Sequence, residues 1–155
     1  KRLYNEIREK VPGVSITTDI IVGFPNETEE QFNNTLKAAD ELAYDGAFTF
    51  IYSPRTGTPA ARMEDPIDME TKHRRLEELI AHINKDALAR NKEYEGKVVK
   101  VLVEGSSKRN DDILTGYSES QKLVNFKGDS SSIGKIVNVK ITKAKTFTIE
   151  GEQVD

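Results

Sequence analysis

The 155-residue chain has no cysteine. That absence excludes disulfides, thiolate metal sites and cysteine nucleophiles together. It has no apolar run long enough to span a bilayer and nothing resembling a signal peptide, so a soluble, cytoplasmic protein is the default expectation. It has no excess of base: 26 Asp and Glu stand against 23 Lys and Arg, and the whole chain is not a nucleic-acid magnet. The charge is uneven, however. Residues 1–90 carry 12 bases and 16 acids, net −4, and residues 91–155 carry 11 and 10, net +1, so the second half tolerates a polyanion better. Its two histidines, His73 and His82, lie nine apart, which is neither metal-ligand spacing nor an obvious acid–base pair, and both read as helix-surface residues. There is no internal repeat. The length suits one ordinary domain or two small ones, but not a complete α/β barrel.

What is present is organised around Thr17 to Thr28, an apolar β-prone run that meets Gly23 and Pro25 and ends in a helix start. Thr28 with Gln31 three residues later has capping-box spacing. Before it, Lys1 to Lys10 reads as the last turns of a helix ended by Val11-Pro12-Gly13; with no initiating Met and no cap, the chain reads as a piece of something longer. Val14 to Val22 is the first strand. From Thr28 to about Tyr44, Phe32, Leu36, Ala39 and Ala43 recur at helical spacing, and Asp45-Gly46 closes that helix. Ala47 to Tyr52 is a second buried strand. Strand, helix, strand at this spacing is a βαβ unit with parallel strands. Ser53 to Ala60 is an irregular loop at the second strand's carboxyl end, so two polar loops share one rim, where α/β folds bind ligands. A long helix starts at Asp65-Pro66 and Asp68; Leu76, Leu79, Ile80, Ile83 and Ala87 form its apolar stripe to about Asn91, and Arg74-Arg75-Leu76-Glu77-Glu78 reads as a solvated, ion-paired face.

At Tyr94-Glu95-Gly96 the character changes. Lys97 to Val103, Leu114 to Tyr117, Lys122 to Phe126, Lys135 to Ile141 and Thr146 to Ile149 are short β-prone runs. Gly105-Ser106-Ser107, Asn110-Asp111-Asp112, Gly128 to Ser132 and Thr142-Lys143 are turn material between them. This pattern predicts a small five-stranded antiparallel OB-like barrel, with the domains dividing as 1–91 and 92–155.

Each chemical reading stands beside a plainer one. Asp19, Gly23 and Glu27 suit a ligand's ribose and amine, Gly23 by close backbone approach and Glu27 by its charge; alternatively, this is a glycine turn whose Glu27 favours the positive end of the next helix. Arg55 is either a fork of donors for a carboxylate or phosphate, or a surface arginine. Lys97, Lys100, Lys122, Lys127, Lys135 and Lys140, interleaved with Tyr117 and Phe126, suit phosphate tracking and base stacking, or else serve solubility and guard the sheet edges.

Two stretches together carry a more specific resemblance. Thr18 to Pro25, Glu27 to Glu30, Ala47 to Phe50, Tyr52 to Arg55 and Gly57 to Ala61 resemble the later part of the radical-SAM methylthiotransferases. Leu102 to Lys108, Leu114-Thr115-Gly116 and Val124-Asn125-Phe126 resemble the TRAM domain that ends those enzymes, and Ala47 to Arg55 resembles the MiaB type, which acts on tRNA. The resemblance implies the carboxyl-terminal portion of a partial (β/α) barrel joined to an RNA-binding barrel. It also implies a parent enzyme that uses S-adenosylmethionine and 4Fe-4S clusters to add a methylthio group to an isopentenylated adenosine beside the anticodon. By the same resemblance Asp19, Gly23, Phe24, Pro25, Glu27, Ile51, Ser53 and Arg55 border the cofactor. With an RNA-binding barrel so implied, Lys97, Lys100, Tyr117, Lys122, Asn125 and Lys127 are the residues expected to face the tRNA anticodon stem-loop.

Departures qualify that reading. Asn26 replaces the usual glycine, and Tyr117 and Glu119 stand where relatives commonly carry bases. The cluster cysteines are absent, so this chain alone is expected to be inactive, to bind neither cluster nor cofactor, and to self-associate through exposed half-barrel edges. Two other functions fit the residues: a stand-alone RNA-binding protein, and an assembly module that binds neither RNA nor cofactor. Within the family, a methylthiotransferase acting on threonylcarbamoyladenosine or on a ribosomal protein is the sibling alternative.

Overall fold

The structure, a computed structural model, describes residues 1–107 and 110–155, with only the backbone at 110 and 111. Lys108, which closes one run of the TRAM resemblance, lies outside the described residues. In chain order the elements are α1 (Arg2–Lys10), β1 (Thr17–Val22), α2 (Glu29–Leu42), β2 (Gly46–Ile51), α3 (Met69–Lys92), β3 (Val98–Ser107), β4 (Asn110–Ser118), β5 (Leu123–Lys127), β6 (Ile136–Ala144) and β7 (Ile149–Val154). They form two compact units, one of residues 16–86 and one of residues 1–15 with 87–155. Among the described residues no helix is long and apolar enough to cross a membrane.

In the first unit β1 and β2 are parallel, in register from Thr17 opposite Gly46 to Val22 opposite Ile51. Thr28 starts α2 with the capping box that the sequence spelled: its Oγ1 accepts from Gln31 N at 3.2 Å and Gln31 Oε1 accepts from Thr28 N at 2.9 Å. Alternation along β1 sends Ile20 and Val22 inward, where they meet Phe32, Leu36 and Ala39 of α2 and Leu79 and Ile83 of α3. Enclosing a ring such as Phe32 contributes roughly 2–3 kcal/mol. The opposite face of the strand pair leaves Ile21, Phe48 and Phe50 exposed. Two readings of α3 need correction. Ile80 is exposed, and the buried stripe instead continues toward the helix start through Lys72 and Arg75; the basic run is solvated at Arg74, Glu77 and Glu78, with Arg74 and Glu78 ion-paired, but its Arg75 is buried.

In the second unit β3-β4-β5-β7-β6 close into a barrel. The expectation of a purely antiparallel barrel fails, because β5 and β7 run parallel from Val124 opposite Ile149 to Lys127 opposite Glu152. The reason is parity: in a closed ring of five strands the directions cannot alternate all the way round, so at least one neighbouring pair must agree. Valines at 101, 103, 124 and 139 fill the interior with Leu114, Phe126, Ile141 and Ile149.

Strand ends also differ from the sequence reading. The runs Gly105 to Ser107 and Asn110 to Asp112 continue β3 and β4, and Thr142-Lys143 lies within β6, each where the register shifts at a bulge. A bulge bends a strand without ending it, so turn-forming residues sit inside the ladder. The last strand begins at Ile149 and continues through Gly151 to Val154.

Candidate functional site

The turn after β1 is built from its backbone outward. Gly23 has a φ of 68° and Asn26 a φ of 65°, left-handed conformations that glycine takes freely and asparagine tolerates. Glu27 N donates to Phe24 O at 2.9 Å, closing the turn, and Asn26 Nδ2 donates to Glu64 O at 3.2 Å. Tyr52 N donates to Val22 O at 2.8 Å, extending the strand pairing by one residue, and the Tyr52 and Phe24 rings meet edge to face with centroids 5.0 Å apart. Gly23, Phe24, Pro25, Glu27 and Ile51 are thus gathered at the carboxyl ends of the two strands. Ser53 and Arg55 follow in an exposed loop, and among the described residues the Arg55 guanidinium has no ion-pair partner. Asp19 is not brought to the turn: it is exposed opposite Phe48, three residues below Val22, about 10 Å down the strand.

Two buried cations of α3 support this turn from behind. A Cβ on Gly23 would lie 2.7 Å from Lys72 Cγ, so the lysine's methylenes occupy the space that glycine leaves. The Lys72 ammonium pairs with Asp65 and holds that carboxyl below its usual range. Arg75 Nη1 donates to both Glu27 O and Glu27 Oε2 at 2.9 Å, and its Nη2 donates to Glu29 Oε2 at 3.0 Å. Its guanidinium carbon lies 5.5 Å from the Phe32 ring centroid. Hydrogen bonds from Arg75, then from Arg74, hold the Glu29 carboxyl below its ordinary value. The Glu27 carboxylate also accepts from Gly23 N at 2.9 Å, so it is committed within the turn. Sequence reasoning missed Lys72 and Arg75. Their signal was the helix stripe of Leu76, Leu79 and Ile83 extended one turn toward the amino end, with acids at 27, 29 and 65 to match.

The histidines sit at ordinary helix positions. His73 Nδ1 lies 2.7 Å from Met69 O, and His82 Nδ1 lies 2.7 Å from Asp40 Oδ1 of α2.

On the barrel, alternation turns Lys100 and Leu102 of β3, Tyr117 of β4, and Asn125 and Lys127 of β5 away from the core. Tyr117 is in register with Leu102 on one side and Leu123 on the other, and Leu102 is opposite Ile136 of β6, which is 68% exposed. This outward apolar row with a central tyrosine is flanked along the strands by Lys100 and Asn125. The row was missed as a unit, although valines pointing inward at 101 and 103 require Leu102 to point out. One expectation fails here. Phe126 is only 1% exposed in the core and offers no stacking face. Lys122 is buried, with its ammonium 5.9 Å from the Tyr94 ring centroid, while Lys97 approaches the same ring at 5.8 Å. These two lysines therefore gather at Tyr94, whose hydroxyl lies 2.9 Å from Ser120 Oγ.

Residues 92–154 match the TRAM domain family. Along almost its whole length the chain is similar to curated proteins named tRNA-2-methylthio-N(6)-dimethylallyladenosine synthase. It is 58% identical to that of Anoxybacillus flavithermus over 153 residues, 99% of this chain and 29% of the relative. It is 59% identical to that of Bacillus subtilis over 152 residues, 98% of this chain and 30% of the relative. The chain thus spans about three-tenths of the length of the curated relatives it matches.

Proposed function

We propose, from the premise that this chain belongs with the carboxyl-terminal part of the MiaB-type tRNA methylthiotransferases and carries their TRAM domain, that it is the tRNA-gripping and cofactor-bordering end of such an enzyme. Residues 1–91 form a portion of its (β/α) barrel and residues 92–155 its RNA-binding barrel. The parent reaction adds a methylthio group to an isopentenylated adenosine beside the anticodon and belongs in the cytoplasm. One observation carries the RNA reading: Tyr117 lies outward in a row of Leu102, Leu123 and Ile136 with Lys100, Asn125 and Lys127 on the same strands, a stacking surface beside phosphate-binding cations. Lys97 and Lys122 contribute positive potential from their station at Tyr94.

S-adenosylmethionine fits the turn after β1 in part. Gly23 sets the turn that presents the half-exposed Phe24 ring, this ring and Ile51 offer apolar surface for adenine, and Ser53 and Arg55 stand free for polar groups. Pro25 and Glu27 shape this edge, and Asp19 faces a ligand that extends along the exposed strand face. The cofactor supplies the group-transfer chemistry of the parent reaction. An iron–sulfur cluster does not fit this chain's own residues. The chain has no cysteine, and among the described residues no group of three or more His, Asp or Glu side chains is placed to hold a metal. On this reading the 155 residues alone are inactive, and their uncovered face at Ile21, Phe48 and Phe50 favours self-association.

The test is tRNA binding by the 155-residue chain, titrated against salt. Affinity should fall steeply as salt rises, and Lys100→Glu and Lys127→Glu should each weaken binding and flatten the dependence of log K on log salt by about one unit. Tyr117→Ala should weaken binding by about 1–3 kcal/mol with little change of slope. Binding that is absent at low salt, or indifferent to all three changes, overturns the assignment of this face.

A further inference from the structure

We propose that Arg75 is a positioning residue for the turn after β1: it holds the Glu27 carboxylate against Gly23 N–H and so fixes the backbone and the Phe24 ring that a ligand would meet. The inference rests on the reading of this turn as a ligand site and refines it. Glu27 becomes the turn's internal anchor, not the partner of a ligand's cationic group.

Four observations converge. Arg75 is 4% exposed and comes from α3, not from the turn it touches, so its guanidinium is a fixed external support. A single Nη1 meets Glu27 at both its carbonyl and its carboxylate, gripping the residue's backbone as well as its side chain. The same Oε2 atom that receives Arg75 also receives Gly23 N–H, so the arginine acts on the far end of the turn through one oxygen. Finally, Nε and Nη2 both donate to Glu29 Oε2 in the first turn of α2, which fixes the guanidinium plane and aligns the start of that helix with the turn. Lysine has neither the planar fork nor the reach to make these contacts together. Charge balance alone does not account for the arrangement, since a point charge would satisfy Glu27 without touching its carbonyl.

The test uses the 155-residue chain and reads amide exchange and proton shifts residue by residue. In Arg75→Met, exchange of the Gly23 amide should rise by roughly tenfold or more, the scale of one charge-assisted hydrogen bond, and the Phe24 ring signals should move. The amides of Ile20 and Thr49, in the strand pair below the turn, should stay close to wild type. Arg75→Lys should recover only part of the Gly23 protection. Removing the arginine leaves a nearly buried carboxylate unpaired, so that variant is accompanied by Arg75→Met/Glu27→Gln, which removes both charges and keeps the shapes. In this double variant the Gly23 amide should still lose protection relative to wild type, because the neutral amide acceptor is weaker and no longer held. Equal loss at Gly23, Ile20 and Thr49 would mean a generally structural role and overturns the proposal, as does full recovery in Arg75→Lys or an unchanged Gly23 amide. Added S-adenosylmethionine provides a separate arm: shifts at Gly23, Phe24 or Ile51 support the cofactor reading and overturn the expectation that this chain alone binds no cofactor, while the exchange result by itself decides the role of Arg75.

Discussion

Single residues set the tightest limits at the barrel's glycines. A Cβ on Gly116 would lie 2.1 Å from the Leu102 carbonyl oxygen, and one on Gly151 would lie 2.3 Å from the Lys140 carbonyl oxygen. In both cases the obstacle is backbone, which cannot rotate aside as a side chain can. Gly116→Ala should therefore destabilise the barrel by about 3 kcal/mol, the upper part of the range for an overfilled core, and urea denaturation followed through barrel amides would measure it. A midpoint like that of wild type would show that β3 and β4 can separate without loss. Leu114-Thr115-Gly116 was visible in the sequence as part of a family pattern, but the reason for a glycine was not, because the clash involves a carbonyl fourteen residues away. The burial of Arg75 was hidden for a related reason. Its partners at 27 and 29 lie more than forty positions upstream, and local charge patterning makes such a residue look like an exposed one.

At the scale of elements, features set by neighbours in the chain were legible and those set by closure were not. The capping box at Thr28, the apolar spacing of Phe32, Leu36 and Ala39, and the parallel pairing of β1 with β2 followed from local pattern and connection length. The parallel contact of β5 with β7 and the passage of β3 and β6 through bulges arise only when five strands must meet as a ring. The end of α2 falls between these cases. Asp45-Gly46 marks the stop, but the helix ends at Leu42, and Ala43 takes the left-handed position with a φ of 45°. That conformation costs a residue with a Cβ roughly 1–2 kcal/mol, part of which glycine returns through its greater freedom when unfolded. Ala43→Gly should stabilise the 16–86 unit by about 0.5–1 kcal/mol, read as a higher denaturation midpoint for β1 and α2 signals. A lower midpoint would mean that the Ala43 methyl contributes more by packing than its backbone costs.

Across the whole molecule, the two units differ in where their charges lie, and acid should separate them. In residues 16–86 the depressed carboxyls of Glu29 and Asp65 answer to Arg75 and Lys72, cations buried beneath the turn. Their reference values are 4.5 and 3.8, and in the folded state both titrate lower. The unfolded chain thus binds protons before the folded one does, so the stability these pairs contribute is fully present above about pH 5 and is lost as pH falls through the folded values. Once these two acids are neutral, Lys72 remains buried without its counter-charge and Arg75 loses one of its two carboxylate partners, which a low-dielectric surrounding penalises further. In the barrel unit, the depressed carboxyl of Asp129 answers first to the Ser131 side chain and then to the Ser131 amide, in a surface turn outside the core of valine, leucine, isoleucine and phenylalanine. Acidification from pH 7 to 2.5, followed by resolved amide signals, should therefore disperse β1, α2 and β2 before β3 to β7. Arg75→Met/Glu27→Gln should narrow the gap by removing one of the acid-sensitive attachments. Loss of both units at one pH, or of the barrel first, would show that the buried cations of α3 do not govern the acid limit. It would also weaken the larger argument that this helix, by its two inward cations, holds the turn after β1 in shape.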